Sequence, residues 1–410
     1  MRVFINCDLE LGGGSGGAEQ FVACLVHGLS ELNTDHEFVL GVWPEHDAWL
    51  RPLLGERMRI AHFPVPMVPR RSPLEVRVRR ALSPYKRKVK ELLGSRAAAA
   101  PPPAPGATSA FVDGLGPRVC HFPTQKWVPT AAPSILNLHD LQHLHFPQFF
   151  GREQLDERMR WPAWAAGADL LAVHSEWTAG DFVEKLDVPE SKVRVLPGAS
   201  PLELVPPVSK EFVEETRTRL DLPDIFGLYP ATTWPHKNHL ALAEAVSVVD
   251  GVQPTILCTG SKTDAWAEVE EALERLGLQA RFRFLGFLSP QELKALYRLA
   301  SFVIVPSLFE GGGSAAMYEA LAEGVPLACS DIPSIPRAVR AAALLFDPNS
   351  KESMARAIRE VVSDGSLRDR LLTAGRERAA EFSVAGAARG YLELYEELAA
   401  RRPARELDRA

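Results

Sequence analysis

Two carboxylates bracket a glycine loop in the second half of the chain, in the run Pro306-Ser307-Leu308-Phe309-Glu310-Gly311-Gly312-Gly313-Ser314-Ala315-Ala316-Met317-Tyr318-Glu319. Glycine allows backbone amides to approach a ligand closely, and serine is a residue type that caps helices. Carboxylates accept the paired hydrogen bonds of sugar and ribose hydroxyls. Glu310, Gly312, Gly313 and Glu319 are therefore candidate ligand contacts; the bland alternative for Glu319 is a solvated acid in the first turn of a helix. A second passage, Thr232-Thr233-Trp234-Pro235-His236-Lys237-Asn238-His239, also follows an apolar run. Its spacing predicts that Lys237 opens a helix, where an ammonium and a helix dipole act together on a diphosphate.

The first half offers two further candidates. Gly12-Gly13-Gly14-Ser15-Gly16-Gly17-Ala18-Glu19 formally contains a dinucleotide fingerprint at Gly12, Gly14 and Gly17. That fingerprint needs its first glycine directly after a strand, and residues 6–11 intervene. A longer loop ending in a helix near Gly17 better suits close approach of a diphosphate or an acceptor, with a plain turn as the alternative. His139-Asp140-Leu141-Gln142-His143-Leu144-His145 gathers three histidines. They lack the acidic or cysteine partners of a known metal spacing, so the expectation is no metal and no cofactor. His139, leaving a strand into a crevice, suits a hydrogen bond to substrate, with core packing as the alternative.

Such residues need a frame to hold them. Short apolar runs alternate with helical patterns along all 410 residues, which predicts an α/β chain with two parallel sheets. Strands are expected at 3–5, 38–42, 119–122, 135–138, 170–173 and 193–196, then at 226–229, 255–259, 281–285, 302–305, 327–329 and 344–346, two sets of six. Proline-rich residues 197–207 mark the hinge, giving a first domain over 1–200, a second over 208–383, and a closing helix at 384–400. The run Ser289-Pro290-Gln291-Glu292 predicts a capped helix over 290–300. The Ala/Pro run near 97–107 cannot form a packed element and reads as a mobile insert.

Composition narrows the class. Hydrophobic residues at 46% and charged residues at 24% are those of a globular protein. The five scattered cysteines read as reduced core residues. No stretch approaches a membrane span and no leader is evident, so the expected location is the cytoplasm. Residues 70–96 hold ten Lys or Arg against Glu75 and Glu91, in a chain of net charge −6. That segment suits contact with an anionic membrane face or a lipid-diphosphate acceptor, or is merely a solvated face; nucleic acid is not the expected partner.

In order and spacing these motifs resemble the retaining GT-B glycosyltransferases of family 4 over nearly the whole chain. Gly16 to Glu19, His139-Asp140-Leu141-Gln142-His143 and Ser175-Glu176-Trp177-Thr178 resemble signatures of the first domain. Trp234 to His239, Phe284-Leu285-Gly286-Phe287 and Pro306 to Glu319 resemble those of the second. The resemblance implies two Rossmann-like domains facing a cleft, and a hexose, with mannose from a guanosine donor favoured, moved from a nucleotide-sugar to a glycan or lipid-linked acceptor. It further implies that Gly16, Gly17 and Lys237 meet the diphosphate and that Glu319 holds the ribose. Glu310, Gly312 and Gly313 would touch the sugar, Phe287 would border the base, and His139 would face the reaction centre. Eight residues separate the glutamates where the family has seven, and Thr232 stands where the family often has an arginine. Those departures motivate one rival, a sugar-nucleotide-binding subunit without activity; the formal fingerprint motivates another, a nicotinamide-dependent oxidoreductase.

Overall fold

The computed structural model describes residues 1–9, 16–64 and 106–401. The basic segment 70–96, the glycines at 12–14 and nearly all of the 97–107 insert lie outside the described residues.

Apolar runs buried on both faces build two sheets in which every pairing is parallel, as expected when crossover helices cover both sides. The first comprises β1 (Arg2–Asn6), β2 (Glu37–Val42), β3 (Met58–His62), β4 (Val119–Phe122), β5 (Ser134–Leu136), β6 (Leu170–Val173) and β7 (Val193–Val195), in the order 3-2-1-4-5-6-7. The second comprises β8 (Phe226–Pro230), β9 (Thr255–Thr259), β10 (Phe282–Phe284), β11 (Phe302–Val305), β12 (Leu327–Ser330) and β13 (Ala343–Phe346), in the order 10-9-8-11-12-13. Both are Rossmann-like, reversing direction between β1 and β4 and between β8 and β11, and ligand crevices form at such reversals.

The first set has seven strands, not the expected six. β3 is the addition, and it sits at the sheet edge, where Arg59 and His62 are solvated and break the apolar pattern. The helix Pro290–Leu299 begins with the expected reciprocal cap between Ser289 and Glu292. Within 197–207 the only regular turn is Pro201–Leu204. The buried ammonium of Lys294 holds that stretch, donating to Leu202 O and Val205 O at 2.9 Å each, with Glu323 at 3.4 Å.

The last helix, Val384–Arg401, crosses back to lie on the first helix, Gly17–Ser30. Its Ala388, Tyr391, Leu394, Tyr395 and Leu398 join Val22, Leu25, Val26 and Leu29 in one core. Gly28 is where the two helices meet, since a side chain there would lie 2.7 Å from Ala388 Cβ. Beneath them His121 bonds Tyr395 Oη and Asn137 Oδ1 at 2.7 Å each, and Asn137 Nδ2 donates to Tyr391 Oη at 2.8 Å. These groups are buried and mutually satisfied, as a polar network inside a core must be. No helix among the described residues is long and apolar enough to cross a membrane. All five cysteines are buried and free.

Candidate functional site

The second domain contributes two loops from either side of the β8/β11 reversal. The spacing predicts that Lys237 opens a helix, and it does not. It ends a short turn, Pro235–Lys237, and Asn238 takes the left-handed conformation (φ 59°) before the helix His239–Ser247. The reason is local: Asn238 Nδ2 donates to Pro306 O and Pro348 O at 3.0 Å, tying the loop to the ends of β11 and β13. Tyr229 Oη donates to Lys237 O at 2.6 Å. Lys237 Nζ is thereby aimed across the crevice at Glu310 Oε1, 2.6 Å away, with side-chain exposures of 18% and 8%. Thr232 is held where Gly260 passes it, so closely that a Cβ at Gly260 would lie 3.0 Å from Thr232 N.

The first domain contributes the residues that follow β5 and β6. His139 sits at φ 66°, unusual for a residue with a Cβ, and its Nδ1 lies 3.2 Å from His174 Nε2. Both rings meet Phe21 of the first helix edge to face, at 5.2 and 5.1 Å. Burial, then the neighbouring His174, pushes His139 down to about 3; burial also lowers His174. Asp140, beside them, is raised by burial and feels Arg158, Glu310 and Lys237. The other two histidines are structural. His145 Nε2 bonds the Asp181 carboxylate at 2.9 Å, and buried His143 meets Trp161 edge to face. Among the described residues no group of three ligating side chains could hold a metal ion.

The glycine loop is where the domains touch. A Cβ on Gly311 would lie 2.5 Å from Asp140 Cβ, and one on Gly312 (φ 118°) 2.7 Å from His174 Cβ. Gly313 (φ 99°) faces Tyr318 in the same way, and Tyr318 Oη donates to Gly312 O. Contact with the first domain and with Tyr318 thus requires these glycines whether or not a ligand is near. Phe309, preceding the loop, inserts among His145, Phe146 and Trp177 of the first domain.

Ser314 stands at the start of the helix Ala315–Glu323, but its hydroxyl is buried and makes no capping bond, contrary to expectation. Glu319 is likewise not presented at the loop. It shares a helix face with Ala316 and Glu323, and that face meets the helix Pro290–Leu299. There Glu319 is 2% exposed and accepts a 2.6 Å bond from Tyr297 Oη. Its charge is also felt by Cys24 of the first helix, so it lies toward the interdomain side. Burial raises its carboxyl from 4.5 to about 7, although the Tyr297 bond opposes this. The folded state therefore holds a proton that the unfolded chain releases, and this stabilisation, complete below 4.5, is lost as pH rises through 7. Glu319→Gln keeps an acceptor for Tyr297 and removes the titration. Against wild type it is expected to raise the melting temperature at pH 8, by on the order of 2 kcal/mol of stability, and to change little at pH 4. A pH series of thermal melts reads this directly; parallel curves would show that Glu319 stays ionised.

His139, Lys237, Glu310 and Gly312 are thus brought into one junction. Gly16 and Gly17 begin the helix that carries Phe21, so they approach it from the first domain. Phe287 stands apart, beyond β10 and 66% exposed. His174, Asp140 and Arg158 were not singled out. His174 and Asp140 had a readable signal, since each leaves a strand at its carboxyl end. Arg158, stacked over Phe150 and Trp161 at 4.4 and 4.6 Å, had none in a charged helical stretch.

Residues 214–378 match the family model described as Glycosyl transferases group 1. D-inositol 3-phosphate glycosyltransferase of Corynebacterium glutamicum is 30% identical over 239 residues, 56% of this chain and 57% of the relative. O-antigen chain mannosyltransferase B of Escherichia coli is 24% identical, over 53% of this chain and 57% of its own length. The chain therefore spans a little over half the length of these curated relatives. Among solved structures, sucrose-phosphate synthase from Thermosynechococcus elongatus superposes with a TM-score of 0.71 at 20% identity, covering 98% of this chain and 100% of that one. Anabaena HepE in complex with UDP-glucose gives 0.68 at 17% identity, covering 97% and 100%. The fold is accordingly GT-B, two Rossmann-like domains facing a central cleft, and the stretch that matches the group 1 glycosyl transferases carries Lys237, Glu310 and Glu319.

Proposed function

We propose that this chain is a glycosyltransferase that moves a hexose from a nucleotide-diphosphate sugar to a glycan or lipid-linked acceptor, with retention at the anomeric carbon. The observation that carries the reading is the Lys237–Glu310 pair at the β8/β11 reversal, beside Gly311, which meets Asp140 and His139 of the first domain. A diphosphate arriving there competes with Glu310 for the ammonium. Lys237 then neutralises the departing phosphate, and Glu310, released, accepts from sugar hydroxyls. Rate enhancement rests on charge stabilisation and orientation, with little covalent chemistry by the protein. Thr232 and the start of the first helix at Gly16 and Gly17 supply further donors to the diphosphate. Glu319 would hold the ribose after exchanging its bond to Tyr297, and Phe287 would border the base. Peripheral contact with an anionic membrane through residues 70–96 belongs to the same reading. Matches to an inositol phosphate glycosyltransferase and to mannosyltransferases support transfer of a sugar, and the latter favour mannose.

The test is a thermal-shift panel of UDP, GDP, ADP, their glucose and mannose conjugates, and NAD. A ligand at a hundred times its Kd adds about 2.7 kcal/mol, a shift of several degrees. One nucleoside diphosphate and its sugar should stand out, with GDP and GDP-mannose expected. A shift with NAD alone, or with none of the panel, overturns the proposal.

A further inference from the structure

His139 and His174 face each other with too few protons for their contacts. A neutral imidazole carries one N–H, and a carbonyl oxygen can only accept. His139 Nε2 lies 3.0 Å from Pro123 O, and His174 Nδ1 lies 3.0 Å from Leu196 O. Each ring must donate outward, and the single proton of each is then spent. The facing nitrogens, His139 Nδ1 and His174 Nε2, are 3.2 Å apart, and both are left bare. The rings are within 27° of coplanar, with centroids 5.4 Å apart, so the two lone pairs point at each other rather than past. One further proton turns this repulsion into a charge-assisted N–H···N bond and gives the pair a single positive charge.

Resting on the proposed donor site, we propose that His174 shares one proton with His139 and that binding of a nucleoside diphosphate in the cleft draws this proton in from solvent. Burial pushes both rings toward the neutral form. His121 below and the ring partner itself oppose the charge. Asp140 follows His139 on the same loop; burial and Glu310 of the second domain oppose its charge, and Arg158 and Lys237 favour it. Glu19 lies in the first turn of the helix that presents Phe21. A diphosphate adds a larger negative charge in the same crevice, and an opposite charge at close range raises a histidine's affinity for its proton. Gly312 of the second domain packs against the Cβ and backbone of His174. His174 is thus a positioning residue: it fixes the tautomer and charge of His139 rather than touching the sugar.

The experiment is titration calorimetry of the full chain with UDP and with GDP at pH 7.5, in buffers of low and high ionisation enthalpy. The dependence of the observed heat on buffer enthalpy gives the protons taken up, expected to be about one per nucleotide bound. His174→Gln places an amide donor opposite His139 Nδ1 and needs no added proton, so it should bind nucleotide with uptake reduced toward zero. Clear binding by wild type without uptake overturns this inference and leaves the donor site standing. Uptake unchanged in His174→Gln also overturns it, because the proton then lies elsewhere. Absence of binding heat with either nucleotide removes the donor site itself. Should the variant not fold, the wild-type measurement decides alone.

Discussion

Replacing Lys237 with alanine is expected to lower turnover with a nucleotide-sugar donor by at least about a hundredfold, the scale seen when a group that stabilises developing charge is removed. Geometry complicates the interpretation of that variant alone. Glu310 Oε1 sits 2.6 Å from the ammonium at 8% exposure, so the substitution also strands a carboxylate. Breaking a buried pair from one side costs on the order of 3 kcal/mol. The pair Lys237→Met with Glu310→Gln removes both charges, and its melting temperature is expected to return toward wild type while turnover and the nucleotide thermal shift stay lost. Activity within tenfold of wild type in folded Lys237→Ala would sink the diphosphate assignment.

The second large effect is expected at Gly311, where nothing in the backbone demands glycine. Its φ is not among the left-handed values, yet a methyl group there would stand 2.5 Å from Asp140 Cβ and 2.9 Å from His139 O. Neither is the free end of a flexible side chain, so Gly311→Ala must hold the domains apart or shift the His139 loop. Misplacing reacting groups by about an ångström can cost a hundredfold in rate. Turnover is expected to fall by tenfold or more and nucleotide affinity by less, because the proposed contacts Lys237, Glu310 and Glu319 all lie within the second domain. Steady-state kinetics beside a nucleotide titration checks this. Equal loss of both would mean the loop acts on the nucleotide rather than on domain closure.

Much of this was legible in the residues because the fold and the site obey local rules. Strands buried on both faces read as continuous apolar runs, which is why β1, β4, β6 and β11 were recognisable and the solvated edge strand β3 was not. Ser289 and Glu292 cap their helix because both partners lie three residues apart in one chain. Ser314 has the same residue type at the same kind of boundary, yet its hydroxyl is buried and makes no cap. The same distinction divides the site. Lys237 and Glu310 announced themselves by the motifs around them, whereas their pairing, the enclosure of Glu319 by Tyr297 and the His139–His174 contact depend on residues 73, 22 and 35 positions apart. The glycines illustrate the limit of reading by type. Their type suits ligand contacts, and the structure gives Gly311 and Gly312 a second reason to be glycine, the nearness of the opposite domain.

The return of the helix Val384–Arg401 to the first sheet has a consequence for how the protein is made. Domains usually complete in the order in which the ribosome delivers them. Here the amino-terminal lobe lacks Tyr391, Leu394, Tyr395 and Leu398 until the second lobe has been synthesised, and His121 and Asn137 wait with unmet bonds. The carboxyl-terminal lobe, whose sheet closes at Phe346, has all its strands before then. Vectorial synthesis therefore supplies every strand of the later-encoded lobe before the earlier lobe can be sealed.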